Sequence, residues 1–344
     1  MRQGVGRGRA LLILAAVLVG ALVLGVCTGS ASISPTNVFR LAFAGLTGQE
    51  APPGLSSTHL SIVWNLRVPR VILASMVGVG LASAGAAFQG LFKNPLADPY
   101  ILGISSGAAL GAAFGLVYGL TWTVLGMGAV PVLAFMGGVV SITAVYHLAR
   151  VNGTVPVMSL LLAGVALGAF LSAALALLMY TDVDRVGQVV FWLLGSLSGA
   201  NWTKVWMAVP YLLLGLAIIL LHSRELNALL LGEEPAQHLG VDVERVKRSL
   251  LLGGTLATAA AVSVSGVIGF VGLIVPHGVR LVVGPDHRFL LPVTALMGAS
   301  FMVLADTLAR TVLAPAELPV GILTAFCGGP FFLYILRQRK GRLF

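Results

Sequence analysis

The sequence predicts an all-α, polytopic membrane protein with about ten transmembrane helices. Three observations predict it. Charged residues make up only 10% of the 344 positions and hydrophobic ones 58%, whereas a soluble domain carries roughly a quarter charged residues. Apolar stretches repeatedly reach the roughly 20 residues that cross a hydrocarbon core of about 30 Å. These stretches are continuous rather than alternating. In lipid each backbone amide must find its partner inside its own segment or a closed barrel, so continuous apolar runs are read as helices.

Ten spans follow along the chain, at about 10–30, 68–91, 100–120, 126–149, 157–180, 204–222, 249–267, 268–284, 289–312 and 319–336. The first comes after Arg2, Arg7 and Arg9. It is expected to stay as a span rather than to be removed as a signal peptide, because Val26-Cys27 lacks the small residue of a lipoprotein step and Gly29–Ser32 make a poor cleavage site. Residues 31–66 are interrupted by Pro35, Pro52, Pro53 and Gly54 and read as an external loop holding a short amphipathic helix near Asn37–Leu46. Gly266 and Gly269 divide the seventh span from the eighth. The whole chain, 1–344, reads as one transmembrane domain.

Charge gives the spans their sidedness. Of the 21 lysines and arginines, 15 fall on the side of the N-terminus: Arg2, Arg7, Arg9, Lys93, Arg150, Arg224, Arg245, Lys247, Arg248, Arg280, Arg288, Arg337, Arg339, Lys340 and Arg342. Only Arg40, Arg67, Arg70, Arg185, Lys204 and Arg310 fall opposite. The positive-inside rule then places both termini in the cytoplasm of a multi-pass cell-membrane protein. All five tryptophans lie near the outer side, as an interfacial belt would. The net charge of +9 sits in short loops between spans, which points to membrane topology and not to nucleic acid.

Some features depart from plain apolar helix. Gly103, Gly107, Gly111, Gly115 and Gly119 recur every fourth residue in span three and predict a smooth ridge for close helix packing. Pro95 and Pro99 stiffen the hairpin Phe92–Pro99 between spans two and three. The stretch Ser223–Arg248 is the largest cytoplasmic segment. In it, Leu226, Leu229, Leu230 and Leu231 precede Gly232-Glu233-Glu234-Pro235, and Ala236–Leu239 precede Gly240. That order predicts two short helices around a turn, outside the bilayer and open to a partner.

Several chemistries are missing from the pattern. No lysine follows a glycine, so no Walker loop is present. The six histidines form no metal-ligand spacing; His277 reads as a packing residue, and Cys27 and Cys327 as buried small hydrophobes. Charge near span interiors is confined to Asp306, Arg310 and Arg280. Asp306 and Arg310 are spaced i, i+4 and can pair. Arg67 and Arg70 flank Pro69 at the outer start of span two. As exposed guanidinium groups, these arginines would suit a partner presenting carboxylates.

A series of motifs stands in order: Leu66-Arg67-Val68-Pro69-Arg70, Asn94-Pro95-Leu96-Ala97-Asp98-Pro99, Leu102-Gly103-Ile104-Ser105-Ser106-Gly107, Phe191-Trp192-Leu193-Leu194-Gly195-Ser196-Leu197, Gly269-Phe270-Val271-Gly272-Leu273-Ile274-Val275-Pro276-His277 and Glu317-Leu318-Pro319-Val320-Gly321. From about residue 60 onward the chain thereby resembles the FecCD family of permeases, the type II ABC importers for vitamin B12, haem and iron–siderophore complexes. The resemblance implies a homodimer, or close heterodimer, of ten-helix subunits with the path at their interface. It implies two cytoplasmic ABC ATPase subunits, where ATP and Mg would bind, and an extracytoplasmic substrate-binding protein. No cofactor is expected on this chain. Arg67, Arg70 and Arg310 match positions that pair with acidic residues of that binding protein. Asn94 and Leu96 match positions near the cytoplasmic gate. Leu226, Leu230, Gly232, Glu233, Ala236, Leu239 and Gly240 belong to the stretch that matches the coupling helices seated in the ATPase. The resemblance also relates spans two to five to spans seven to ten as an inverted repeat, which the alternation of span directions permits. Val157-Met158 are apolar where the vitamin B12 members carry small hydroxylated residues, so the cargo stays open, with iron chelates the commonest in the group. The competing reading is an ion-coupled carrier, which would place carboxylates at the bilayer midplane, where this sequence has almost none. An intramembrane enzyme would need a convergent Asp, His or Ser set that the spans lack.

Overall fold

A computed structural model describes residues 3–29, 31–124 and 126–339; Arg2, Lys340 and Arg342 of the charge argument lie outside them. The expected ten spans are each met by a helix: α1 (Gln3–Cys27), α4 (Val68–Leu91), α5 (Ile104–Val117), α6 (Ala129–Ala149), α7 (Val157–Thr181), α9 (Trp202–Leu221), α12 (Val243–Ser265), α13 (Val271–Val283), α14 (His287–Ala309) and α15 (Val320–Arg339). Seven of the described helices are long and apolar enough to cross a membrane, while Ile104–Val117, Val271–Val283 and Val320–Leu333 are shorter apolar helices. Between them lie α2 (Pro35–Thr47), α3 (Ser57–Ser61), α8 (Val186–Leu193), α10 (Ser223–Leu229) and α11 (Glu233–His238). A two-strand hairpin pairs Thr123–Val124 with Met127–Gly128.

The external segment differs from expectation in one respect. The amphipathic helix is there as α2, burying Val38, Leu41 and Ala44. But residues 57–67 are also helical: α3 runs through a π-helical turn, Ile62–Arg67, directly into α4. Ser56 starts this helix with a capping box involving His59, a signal in the sequence that the nearby prolines obscured. Trp64, carried on the π turn, packs against Trp202 with the rings tilted by 44° and 4.9 Å between centroids, and accepts the Trp202 indole N–H at its carbonyl.

The glycine ridge of α5 works as expected, with a shorter reach. A Cβ at Gly107 or Gly111 would collide with the carbonyls of Gly137 and Leu133 on α6, so the two backbones touch. Gly103 and Gly119, at φ +77 and +58, lie outside the helix at its two ends.

The repeat that the sequence hides shows in the helices. In chain order α4, α5, α6 and α7 have 24, 14, 21 and 25 residues, and α12, α13, α14 and α15 have 23, 13, 23 and 20. Both quartets thus place their short helix second. Packing follows the same rule: α4 lies against α13 and α14, and α12 against α5 and α6. The central α4 and α12 pack on each other and are buried along most of their length. By contrast α1 and α7 sit at the periphery, largely uncovered.

Non-helical backbone inside a bundle needs substitute partners. Between α12 and α13 the chain runs extended, with Gly266 and Phe270 at positive φ. There the Tyr100 hydroxyl accepts the Ile268 N–H at 3.0 Å and donates to the Ile268 carbonyl. Pro276 in α13 cannot donate to the Gly272 carbonyl one turn earlier. Gln89 from α4 donates its side-chain amide to that oxygen at 3.3 Å and to Leu273 at 3.2 Å. Arg280 in turn donates to Gln89 Oε1 at 2.8 Å. His277 is buried with its ring edge-on to Phe331, 6.1 Å between centroids, as a packing histidine would be. Both cysteines are free thiols, but neither is buried: Cys27 is half-buried and Cys327 is exposed on α15.

Candidate functional site

Three groups of the expected residues can be located, and the first is buried rather than exposed. Arg67, Arg70 and Arg310 come together, but they are only 5%, 9% and 7% exposed. The expectation of exposed guanidinium groups is corrected. The physical cause is the end of α1, whose last carbonyls have no helical partner. Arg67 donates to Val26 O and Cys27 O at 3.2 and 3.3 Å, and also to Ala31 O. Arg310 donates to Gly25 O. Two cations thus close the negative end of a helix dipole. Arg70 instead grips Asp306 through Nε and Nη2 at 2.9–3.1 Å and both oxygens of Glu317 through Nη1 at 2.9 Å. The expected Asp306–Arg310 pair exists but is long, 3.8 Å. Glu317, which begins the last motif of the series, is the member of the cluster that reaches solvent, 40% exposed in its side chain.

The second group is the turn between α4 and α5. Asn94 is exposed, and its Oδ1 accepts the Leu96 N–H at 3.0 Å, which folds the loop into an Asx turn. Asp98 caps the 3₁₀ turn Pro99–Leu102 by accepting the Tyr100 N–H at 2.9 Å. Burial pushes the Asp98 carboxyl up to about 6, against the pull of that N–H.

The third group is the cytoplasmic stretch. It forms two short helices around a turn, α10 and α11, as expected. Gly232, at φ +131, makes the turn and Gly240, at φ +84, ends the unit. Its residues divide by face. Leu226 and Ala236 are fully buried, so they hold the segment in place and present nothing to a partner. Leu230 and Leu239 are exposed, as is Leu231. Leu226, Leu229 and Ala236 share one apolar cluster with Leu91, Phe92 and Ala97 of the Asn94 loop and with Val155 before α7. On α10, Asn227 donates to Asp286 Oδ1 at 2.8 Å and accepts the His287 N–H at 2.8 Å. Arg288, with Asn227, holds the Asp286 carboxyl well below the usual range. On α11, Glu233 meets Lys247 of α12 at 2.7 Å. The loops assigned to one side by charge therefore contact one another. So do those assigned to the other side, through Trp64–Trp202, Arg310–Gly25 and Arg185–Leu116.

Beside the α12–α13 break lies an apolar cavity of about 520 Å³ between Leu193–Leu194, Val267–Phe270 and the α15 residues Gly321, Ala325 and Phe326. Its lining holds no titratable group. Large apolar side chains stay uncovered next to it and along α7, among them Phe191, Phe326, Met158, Leu162 and Phe170.

Comparison with known proteins decides the family. The sequence model of the FecCD transport family matches residues 13–338. This chain belongs to that family. The FecCD chain is 47% identical over 305 residues to the cobalamin import system permease BtuC of Halobacterium salinarum, covering 88% of this chain and 81% of that one. It is 47% identical over 284 residues to the hemin transport permease HmuU of Yersinia pestis, covering 81% and 85%. A structure described as an inward-facing metal-chelate type ABC transporter superimposes with a TM-score of 0.82 at 33% identity, over 96% of this chain and 99% of that one. The FecCD chain is accordingly a multi-pass ABC transporter permease and not an enzyme.

Glu317, Gln89 and Lys247 had no assigned role in the sequence reading. Gln89 and Pro276 could have been paired only from the fold. Lys247 was counted only for its charge.

Proposed function

We propose that this permease, paired with a second copy of itself in the cell membrane, forms the path by which an ABC importer takes up a metal chelate by alternating access. The cargo is an iron–siderophore, haem or cobalamin. ATP and Mg act on two cytoplasmic ATPase subunits, and an extracytoplasmic binding protein delivers the chelate to the face above Arg67, Arg70 and Arg310. Both termini lie in the cytoplasm.

The observation that carries the reading is the α10–α11 unit. It exposes Leu230, Leu231 and Leu239 while its inner face is packed into the bundle beside the Asn94–Leu96 turn. Such a unit gives an outside motor apolar residues to grip and a rigid connection to the spans. The titratable-free cavity agrees with a bulky cargo that slides without a tight site. Relatives named for cobalamin, hemin and Fe(3+) dicitrate transport support the cargo class. An ion-coupled carrier needs a midplane carboxylate free to bind its ion. Asp306 is buried near the outer end of α14, but Arg70 and Arg310 already neutralise it.

Uptake into proteoliposomes containing the permease, its ATPases and its binding protein tests the reading. Uptake of ferric hydroxamate, ferric citrate, haem or cobalamin should require ATP and be indifferent to collapse of proton and sodium gradients. Gradient-driven uptake without the ATPases would overturn it.

A further inference from the structure

Lys247 is buried, only 2% exposed, in the first turns of α12. Its ammonium group has three donors, and three acceptors meet it: Glu233 Oε2 at 2.7 Å, Glu244 Oε1 at 3.0 Å and the Val155 carbonyl at 3.1 Å. Each acceptor belongs to a different part of the chain. Glu233 opens α11, Glu244 lies one turn before Lys247 in α12, and Val155 belongs to the loop between α6 and α7. The second oxygen of Glu244 accepts the Val155 N–H at 3.0 Å. Both backbone groups of Val155 are therefore held by this joint. Pro156 follows as the N-cap of α7, and its ring restricts the backbone there. A shift of the Val155 peptide is thus passed to α7 with little slack. On α7 only Leu160 and Gly164 are buried; its inner face packs on α5, α6 and the 3₁₀ turn Pro99–Leu102, and its other faces are open.

The second fastening of the coupling unit goes elsewhere. Asn227 on α10 is tied to Asp286 and His287 at the start of α14. The unit thus reaches both halves of the repeat: Glu233 ties it to Lys247 of α12 and through Lys247 to Val155 before α7, while Asn227 ties it to Asp286 before α14.

Resting on the reading of α10–α11 as the ATPase-coupling unit, we propose that Lys247 is a positioning residue that transmits movement of α11 to the start of α7, through its bonds to Glu233 and Val155. Glu244 is its auxiliary, holding the N–H of the residue whose carbonyl Lys247 holds. In a drier interior such charge-assisted bonds are short and directional, which suits a mechanical joint.

The experiment uses the assembled importer in proteoliposomes, with spin labels at Leu239, the C-cap of α11, and Met158 in the first turn of α7, both exposed. In the parent protein, ATP should change the distances reported at both positions. In Glu244→Gln and Lys247→Met, the change at Leu239 should persist while that at Met158 shrinks, and uptake per ATP hydrolysed should fall about 10-fold, within the usual range of coupling between sites. Lys247→Arg, which keeps the charge and the donors, should recover part of both signals. Because Lys247→Met risks misfolding, Glu244→Gln is the deciding variant, checked by its thermal unfolding in detergent. A Met158 response equal to that of the parent in folded Glu244→Gln overturns the proposal and leaves the coupling assignment standing. Failure of the parent chain to assemble with the ATPases would instead remove the coupling assignment itself.

Discussion

Arg70 shows how one residue can be read correctly for type and wrongly for setting. Its guanidinium fork suits carboxylates, and it does bind two, but both come from its own chain. Asp306 is buried and belongs to the interior, whereas Glu317 lies at the rim. If a partner carboxylate docks here, it must share or replace Glu317, because that is the accessible side of the fork. Glu317→Gln should then raise affinity for the binding protein by about fivefold at low salt, since rim charges typically act at about 1 kcal/mol and are screened. Surface titration at two ionic strengths would read this, and an affinity unchanged in both would count against docking at Arg70. The residue types of this cluster were legible in the sequence. Their burial was not, because it comes from the open carbonyls of α1, some 40 residues from Arg67 in sequence.

At the scale of elements, the long spans were legible because length and apolarity alone define them. What escaped were elements set by a distant partner. The helix 57–67 hides behind prolines and gains its place from Trp202 and the α1 end. The α12–α13 break was located from Gly266 and Gly269, yet its stability depends on Tyr100 and Gln89, which are far away in sequence. A double-mutant cycle tests this account of α13. Gln89→Leu should cost about 1–3 kcal/mol, the penalty for leaving a buried acceptor without a donor. Pro276→Ala restores an N–H one turn after Gly272, so in that background the same change should cost clearly less. Thermal unfolding of the four proteins in one detergent gives the answer. Equal cost in both backgrounds would mean that Gln89 acts only through Arg280.

For the whole molecule, the basic residues and the contacts describe the same division by independent routes. Charge counting assigned the loops near residues 93, 150, 224–248 and 288 to one side, and those near 40, 67, 185, 204 and 310 to the other. The folded chain joins Glu233, Lys247 and Val155, and Asn227 with Asp286, at one end. Trp64 with Trp202, and Arg310 with Gly25, join at the other. No bilayer was needed to obtain that grouping, and an odd error in the number of spans would have mixed the two sets. The repeat has the same origin: four crossings, an even number, separate α4 from α12 and make the halves inverted, whereas an odd number would make them parallel. With Cys27 and Cys327 replaced by serine, a single cysteine at Leu239 should react with an impermeant maleimide only in inside-out vesicles. One at Glu50, exposed beyond α2, should react only in right-side-out cells. Labelling of both from the same side would break the topology, and with it the inverted relation of the two halves and the placing of the α10–α11 unit beside a cytoplasmic ATPase.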